Sequence, residues 1–141
     1  MNQQTSSRPS TAFVGASWGA MCVGAATYLI GLFNAQMQLN EKGYYLTILL
    51  YGCFAAVSLQ KTLRDRAEGL SVTGMYVTLC WVSLAASIGL LALGLFNATL
   101  MPSEKGFYAM SFLLTLFAIV AVQKNVRDLA AFGRGVAVEQ A

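Results

Sequence analysis

"GLFNAQMQLNEKGYY" runs from Gly31 to Tyr45, and "GLFNATLMPSEKGFY" runs from Gly94 to Tyr108. The two stretches stand 63 residues apart and align without a gap. Carried outward at that offset, twenty of the fifty-four positions from Val14 to Ala67 are identical to their mates. Chance would supply only a few, so the chain is a tandem duplication of one unit. The repeated asparagine, glutamate and lysine are the unit's main polar marks, and the residues between them say what the unit is.

Those residues are apolar. The 141-residue chain is 57% hydrophobic and 11% charged, against roughly 25% charged for a soluble domain. No charge lies between Arg8 and Glu41, Lys42 and Lys61, Glu68 and Glu104, or Lys105 and Lys124. A hydrocarbon core of ~30 Å needs about 20 helical residues, and each gap holds such a span once its polar ends are trimmed. In lipid the backbone must satisfy its own hydrogen bonds, which makes these spans helices. The fold class is therefore all-α integral membrane: four transmembrane helices in two tandem, parallel helical-hairpin repeats.

The spacing predicts helices over 11–37, 41–68, 74–100 and 104–131. Ser10, Asn40, Thr73 and Ser103 suit N-caps, because a short polar side chain accepts from the free amides of the first turn. Gly69 and Gly133 suit C-terminal stops. The organisation expected is a disordered cytoplasmic tail over 1–9, repeat one over 10–69, repeat two over 73–133 and a C-terminal tail over 134–141. The first apolar span lacks a short h-region with a cleavage site and reads as a retained helix.

Lysine and arginine set the orientation. Arg8, Lys61, Arg64, Arg66, Lys124, Arg127 and Arg134 fall on one side, and Lys42 and Lys105 on the other. Both termini are expected in the cytoplasm and both Glu-Lys-Gly turns outside, with the repeats related by a pseudo-twofold axis along the membrane normal.

The chain has no histidine, which removes the usual general base and most zinc and haem sites. No acid or base lies deep in a span, where proton-coupled carriers keep one. No phosphate loop, Ser-His-Asp set or HExxH motif occurs. The expectation is no enzyme, no cofactor and no metal. The basic residues form no clustered patch, so no nucleic-acid partner is expected. Cys22, Cys53 and Cys80 all lie within spans and read as reduced packing residues.

Two candidate sites remain. The outer-turn motif is Asn34, Glu41, Lys42 and Gly43 with Asn97, Glu104, Lys105 and Gly106. A carboxylate at a helix start is favoured by the dipole, and a first-turn glycine lets another backbone approach. The reading adopted is a hairpin clasp, with the asparagine amide bonding across the turn to free amides or to the glutamate. The competing reading is a two-fold ion or ligand mouth, with Glu41 and Glu104 facing each other across the axis. The inner face is Gln60, Lys61, Arg64 and Asp65 with Gln123, Lys124, Arg127 and Asp128. Lys61–Asp65 and Lys124–Asp128 are i,i+4 pairs. The face reads as positive-inside anchoring, with a site for anionic lipid or a cytoplasmic partner as the alternative.

Gly15 and Gly19, continued by Ala16, Ala20 and Gly24, form a small-residue ridge assigned to packing inside the bundle, with a homodimer seam as the alternative. Trp18 and Trp81 are placed in the aromatic belt or in packing at the inner interface, and Tyr44, Tyr45, Phe107 and Tyr108 in the outer belt.

"GLFNA", "NEKGYY" and "SLQKTLRD", then "GLFNA", "SEKGFY" and "AVQKNVRD", resemble the YiaA/YiaB inner-membrane proteins, whose unit is a domain of two transmembrane helices. The resemblance covers roughly residues 10 to 132. It implies a multi-pass protein of the bacterial inner membrane, and it implies no activity, catalytic residue or cofactor.

Two functions follow. The first is a structural or accessory protein that binds a membrane-protein partner, lipid or itself as a homo-oligomer. The second is a small channel or transporter whose path lies at the repeat or oligomer axis.

Overall fold

The computed structural model describes residues 8–141. Most of the tail expected over 1–9 lies outside these. Four helices follow: α1 (Thr11–Asn34), α2 (Leu39–Ala67), α3 (Gly74–Asn97) and α4 (Pro102–Gln140). The two shortest have 24 residues, about 36 Å at 1.5 Å per residue, enough to cross a ~30 Å core. All four are apolar enough to span a membrane.

The ends are set by local chemistry. The Ser10 hydroxyl accepts from the Phe13 amide at 3.2 Å and caps α1. Thr73 occupies the α3 cap position without a side-chain bond. Asn40 and Ser103 are not caps; each lies second in its helix, after Gln38 and Met101. The reason is the glutamate three residues beyond the cap. Glu41 Oε2 accepts from the Gln38 amide at 2.9 Å, and Glu104 Oε2 from the Met101 amide at 3.2 Å. That is the reciprocal half of a capping box, and Pro102 takes the first helical position, where its missing N–H costs nothing.

α1 and α3 stop at Asn34 and Asn97, three residues early, with extended backbone at Ala35 and Ala98. Gly69, at φ 81°, ends α2 as expected. Its amide donates to Arg66 O at 3.1 Å and that of Leu70 to Asp65 O at 2.9 Å, the two bonds of a Schellman stop. Gly133 is not a stop: α4 continues through it to Gln140, and the tail expected over 134–141 is helix. Gly133 has no positive φ, and a glycine costs only about 1 kcal/mol within a helix.

The packing partners are the main surprise. α1 packs on α4 and α3 packs on α2, while α2 and α4 pair at the centre. The two helices of one repeat touch little. The four helices thus lie in the order α1, α4, α2, α3. A pseudo-twofold that exchanges α1 with α3 and α2 with α4 carries one seam onto the other. The repeats interlock, and neither hairpin packs upon itself.

Glycines make the seams close. A Cβ on Gly31 would stand 2.6 Å from Phe107 Cε1, and one on Gly94 would stand 2.7 Å from Tyr44 Cε1. These are repeat mates: each first helix receives the aromatic ring of the other repeat's second helix. Deeper, a Cβ on Gly24 would meet Thr115 Oγ1 at 2.6 Å, and one on Gly52 would meet Ser87 Oγ at 3.3 Å. Gly24 is the mate of Ser87, and Gly52 of Thr115. Both seams set a glycine against a hydroxyl residue, with the roles exchanged.

A Cβ on Gly15 or Gly19 would meet nothing within 4 Å among the described residues. Their ridge faces outward, so the expected internal packing there is not found. Gly24 alone of that set packs closely. Trp18 and Trp81 are about half exposed on the outside, as belt residues are. Tyr45 and Tyr108 were placed in the belt and are core instead, 5% and 4% exposed. Cys22, Cys53 and Cys80 are free thiols.

Candidate functional site

The polar residues gather at the two ends of the bundle. One end carries the four-residue turns 35–38 and 98–101 and is called the turn end. The other carries the start of α1, the α2–α3 loop and the last turns of α4, and is called the terminal end.

At the terminal end the repeated Arg-Asp dipeptides meet across the axis. Arg64 is paired with Asp128, and Arg127 with Asp65 at 2.5 Å. Two-fold symmetry requires this pattern, since residue i meeting j implies that the mates meet in reverse. Lys61 bonds Asp65 at 2.8 Å and Lys124 bonds Asp128 at 2.9 Å, the i,i+4 pairs read from the sequence. Arg127 also reaches Glu68 at 2.8 Å, and Arg64 reaches it at 3.1 Å. Gln60 and Gln123 lie half-buried one turn earlier.

These groups lie beyond the uncharged parts of α2 and α4, outside the membrane-spanning segments. The hydrogen bonds from Lys61 and Arg127 hold the Asp65 carboxyl below its ordinary range, and those from Arg127 and Arg64 do the same for Glu68. Burial pushes Asp128 up, but bonds from Lys124 and Arg64 more than offset it, so it too is lowered. The arginines are spent within the bundle. Lys61 and Lys124 keep more than half of their side-chain surface in solvent. Sequence reading took Arg64 and Arg127 as anchors facing lipid or a partner. The pairing becomes visible only once the axis brings α2 and α4 together.

Just inside this clasp each seam holds a buried polar contact. Asn125 Nδ2 donates to Ser17 Oγ at 3.2 Å, and Thr62 Oγ1 lies 3.9 Å from Cys80 Sγ. Ser17 is the mate of Cys80 and Thr62 of Asn125. Asn125 is fully buried, and its Oδ1 has no hydrogen-bond partner. Of these four only Cys80 was singled out in the sequence, as a packing residue.

At the turn end the same symmetry leaves space. A cavity of about 1210 Å³ opens between the repeats. Every residue in its lining has its repeat mate in the lining: Gly31 with Gly94, Asn34 with Asn97, Glu41 with Glu104, Tyr44 with Phe107, Tyr45 with Tyr108, and so on around the turns. The cavity therefore lies on the pseudo-axis. Its lining holds two carboxylates and no lysine or arginine. Tyr45 and Tyr108 stack across the axis at 6.1 Å and 18°. Tyr44 meets Tyr45 edge-on at 5.3 Å, and Phe107 meets Tyr108 edge-on at 5.7 Å, both at 83°. Tyr28, fully buried, stands edge-on to Tyr108 at 5.6 Å and donates to Tyr45 O at 2.8 Å. Tyr45 and Tyr108 thus join the cavity lining to the buried aromatic core.

The outer-turn motif is thus drawn into one cavity, but its clasp works differently from the expectation. Asn34 Nδ2 donates to Ile30 O at 3.0 Å and Asn97 Nδ2 to Leu93 O at 2.8 Å, each on its own helix. Neither bonds the glutamate. Lys42 crosses the turn, donating to Phe33 O at 3.0 Å with its ammonium 5.9 Å from the Phe33 ring centroid. Among the described residues Lys105 makes no such bond. A Cβ on Gly43 or Gly106 would meet nothing within 4 Å among the described residues, so neither glycine is needed to admit a close contact on that side. An apolar groove of about 600 Å³, which includes Leu29, Phe33 and Leu46, lies in the splay between α1 and α2.

A family model described as the yiaA/B two helix domain matches the chain twice, over residues 13–65 and 76–128. The chain is 55% identical over 119 residues to the inner membrane protein YiaA of Escherichia coli, covering 84% of this chain and 82% of that one. It is 33% identical over 96 residues to the inner membrane protein YiaB of the same organism, covering 67% and 80%. It is 37% identical over 62 residues to the uncharacterized membrane protein YubF of Bacillus subtilis, covering 43% of this chain and 71% of YubF. No solved structure matches.

Proposed function

The chain belongs to the YiaA/YiaB two helix domain family, a family of multi-pass inner-membrane proteins, and from that premise we propose that it is a non-enzymatic binding protein whose working surface is the turn-end cavity. The observation that carries this reading is the pairing of the cavity lining, residue by residue, across the pseudo-axis. A concave site with convergent polar groups is where binding is expected.

The lysine and arginine asymmetry supports both termini in the cytoplasm and the cavity opening outward. The inner basic face drops in rank as a docking surface, because Arg64 and Arg127 already neutralise Asp128 and Asp65. Within that face Lys61 and Lys124 keep the most side-chain surface open to anionic lipid, although each is also paired with an aspartate. The pore reading is weakened by the buried aromatic core that Tyr45 and Tyr108 join, which a conducting path would have to open.

The experiment is native mass spectrometry of the protein released gently from its own membrane, beside a Thr99→Trp variant that fills the cavity mouth. A bound species present on the wild type and lost from the variant supports the reading. A bound species equally present on both, or solute flux through purified protein in liposomes, contradicts it.

A further inference from the structure

Resting on the cavity being a binding site, we infer that its ligand is a small organic dication with an ammonium at each end, a linear alkane diammonium in class. Each half of the cavity repeats one constellation. Glu41 lies one turn before Tyr44 and Tyr45, and Glu104 lies one turn before Phe107 and Tyr108. Each glutamate commits Oε2 to its helix cap, and Oε1 has no such duty. Each carboxylate thus shares the lining with aromatic side chains of its own helix, and negative charge together with aromatic rings favours an organic ammonium.

The charge balance is local. Lys42, next to Glu41 in the chain, sends its ammonium the other way, to Phe33 O and toward the groove between α1 and α2. Neither Lys42 nor Lys105 is among the lining residues, which carry two formal negative charges. Doubling by pseudo-symmetry places two ammonium subsites across the axis from each other, with the Tyr45–Tyr108 stack between the repeats. The lining rings give an alkyl chain apolar surface to lie against. A single small metal ion makes no use of the rings. An anion is repelled by both carboxylates.

The test titrates the purified full-length protein in nanodiscs, by calorimetry, with 1,4-diaminobutane, 1-aminobutane, 1,4-butanediol and magnesium. The diamine should bind saturably and at least about tenfold tighter than the monoamine, with the diol and magnesium weaker still. Raising the salt should weaken the diamine and leave the diol unchanged, since screening acts on charge alone. Glu41→Gln and Glu104→Gln should each weaken the diamine by about the same factor, and together by about tenfold or more. Glutamine still accepts at the third helical position, so the cap is kept.

Equal binding of diamine and diol, tighter binding of magnesium than of diamine, or indifference to both amide variants overturns the inference. Where a variant does not fold, the salt dependence of the wild type decides alone. If no diamine binds while Thr99→Trp still strips a bound species, the ligand class is wrong and the cavity reading stands. If neither effect is seen, both fall.

Discussion

The two ends of the molecule are built by the same duplication and have opposite outcomes. At the terminal end each repeat brings an acid and a base, Asp65 with Arg64 and Asp128 with Arg127. The axis lets each acid take the other repeat's base, and the end closes. At the turn end each repeat brings an acid into the shared space, Glu41 and Glu104, with no base beside them in the lining. The axis gives them nothing to pair with, and a cavity remains. A duplicated polar motif that finds its mate is spent on assembly. One that does not is left for something outside the chain.

The seams underlie both ends and should break hardest. Gly24→Val puts a side chain against the Thr115 hydroxyl and within about 3 Å of its backbone nitrogen, and overpacking of this kind costs about 1–3 kcal/mol. Gly15→Val, on the open ridge, should change stability by less than about 0.5 kcal/mol. Reversible unfolding in mixed micelles compares the two. Equal losses would mean that the Gly15 face, too, is covered.

The comparison itself is sharpened by making one chemical change at both ends. Asp128→Asn removes a charge from two ion pairs that are partly open to solvent, and should cost about 1 kcal/mol. Glu104→Gln should cost much less, because the cap survives. The same unfolding assay reads both. A larger loss at Glu104 would show that the turn end is a clasp after all.

Acid offers a smaller and graded version of the same contrast. Asp65, Glu68 and Asp128 are held below their ordinary values, 3.8 for the aspartates and 4.5 for the glutamate. Groups with lowered folded values stabilise above the ordinary range and lose that contribution as pH falls through the folded value. The terminal end should hold from pH 8 to 5 and loosen below about pH 4. Hydrogen exchange near Arg64 and Arg127, followed against pH, checks this. Loosening already near pH 6 would contradict it.

The smallest effect expected concerns the seam contact that differs between repeats. Asn125→Thr copies the residue of its mate and removes the buried Oδ1 that has no partner. It should be neutral or stabilising by up to about 1 kcal/mol. A clear loss would show that the Nδ2–Ser17 bond, which the change also removes, outweighs the buried Oδ1.

What the sequence made legible follows from what a membrane demands. Uncharged spans, the 63-residue repeat, the Ser10 cap, the Gly69 stop and the Lys61–Asp65 and Lys124–Asp128 pairs are all local or periodic, and all are found. The helix partners were not legible. In lipid the buried and exposed faces are alike apolar, so periodicity does not separate them. Gly15 and Gly24 lie on one small-residue ridge in sequence, yet a Cβ on the first would face open space and one on the second would meet Thr115. The cap positions were available, since the glutamate three residues on points to residues 38 and 101, and Pro102 at the helix start points again to 101. The Arg64–Asp128 exchange needed the axis, which no local reading supplies.

The account stands on the crossing of the repeats, and cysteine cross-linking tests that directly. In a background freed of Cys22, Cys53 and Cys80, paired cysteines are placed at 17 and 125, at 62 and 80, at 17 and 62, and at 80 and 125. The account predicts rapid disulfides for the first two pairs, whose native side chains lie 3.2 Å and 3.9 Å apart, and none for the last two. Disulfides at 17–62 and 80–125 instead would mean that each repeat closes upon itself. The shared cavity and the reciprocal ion pairs would then go with the crossing.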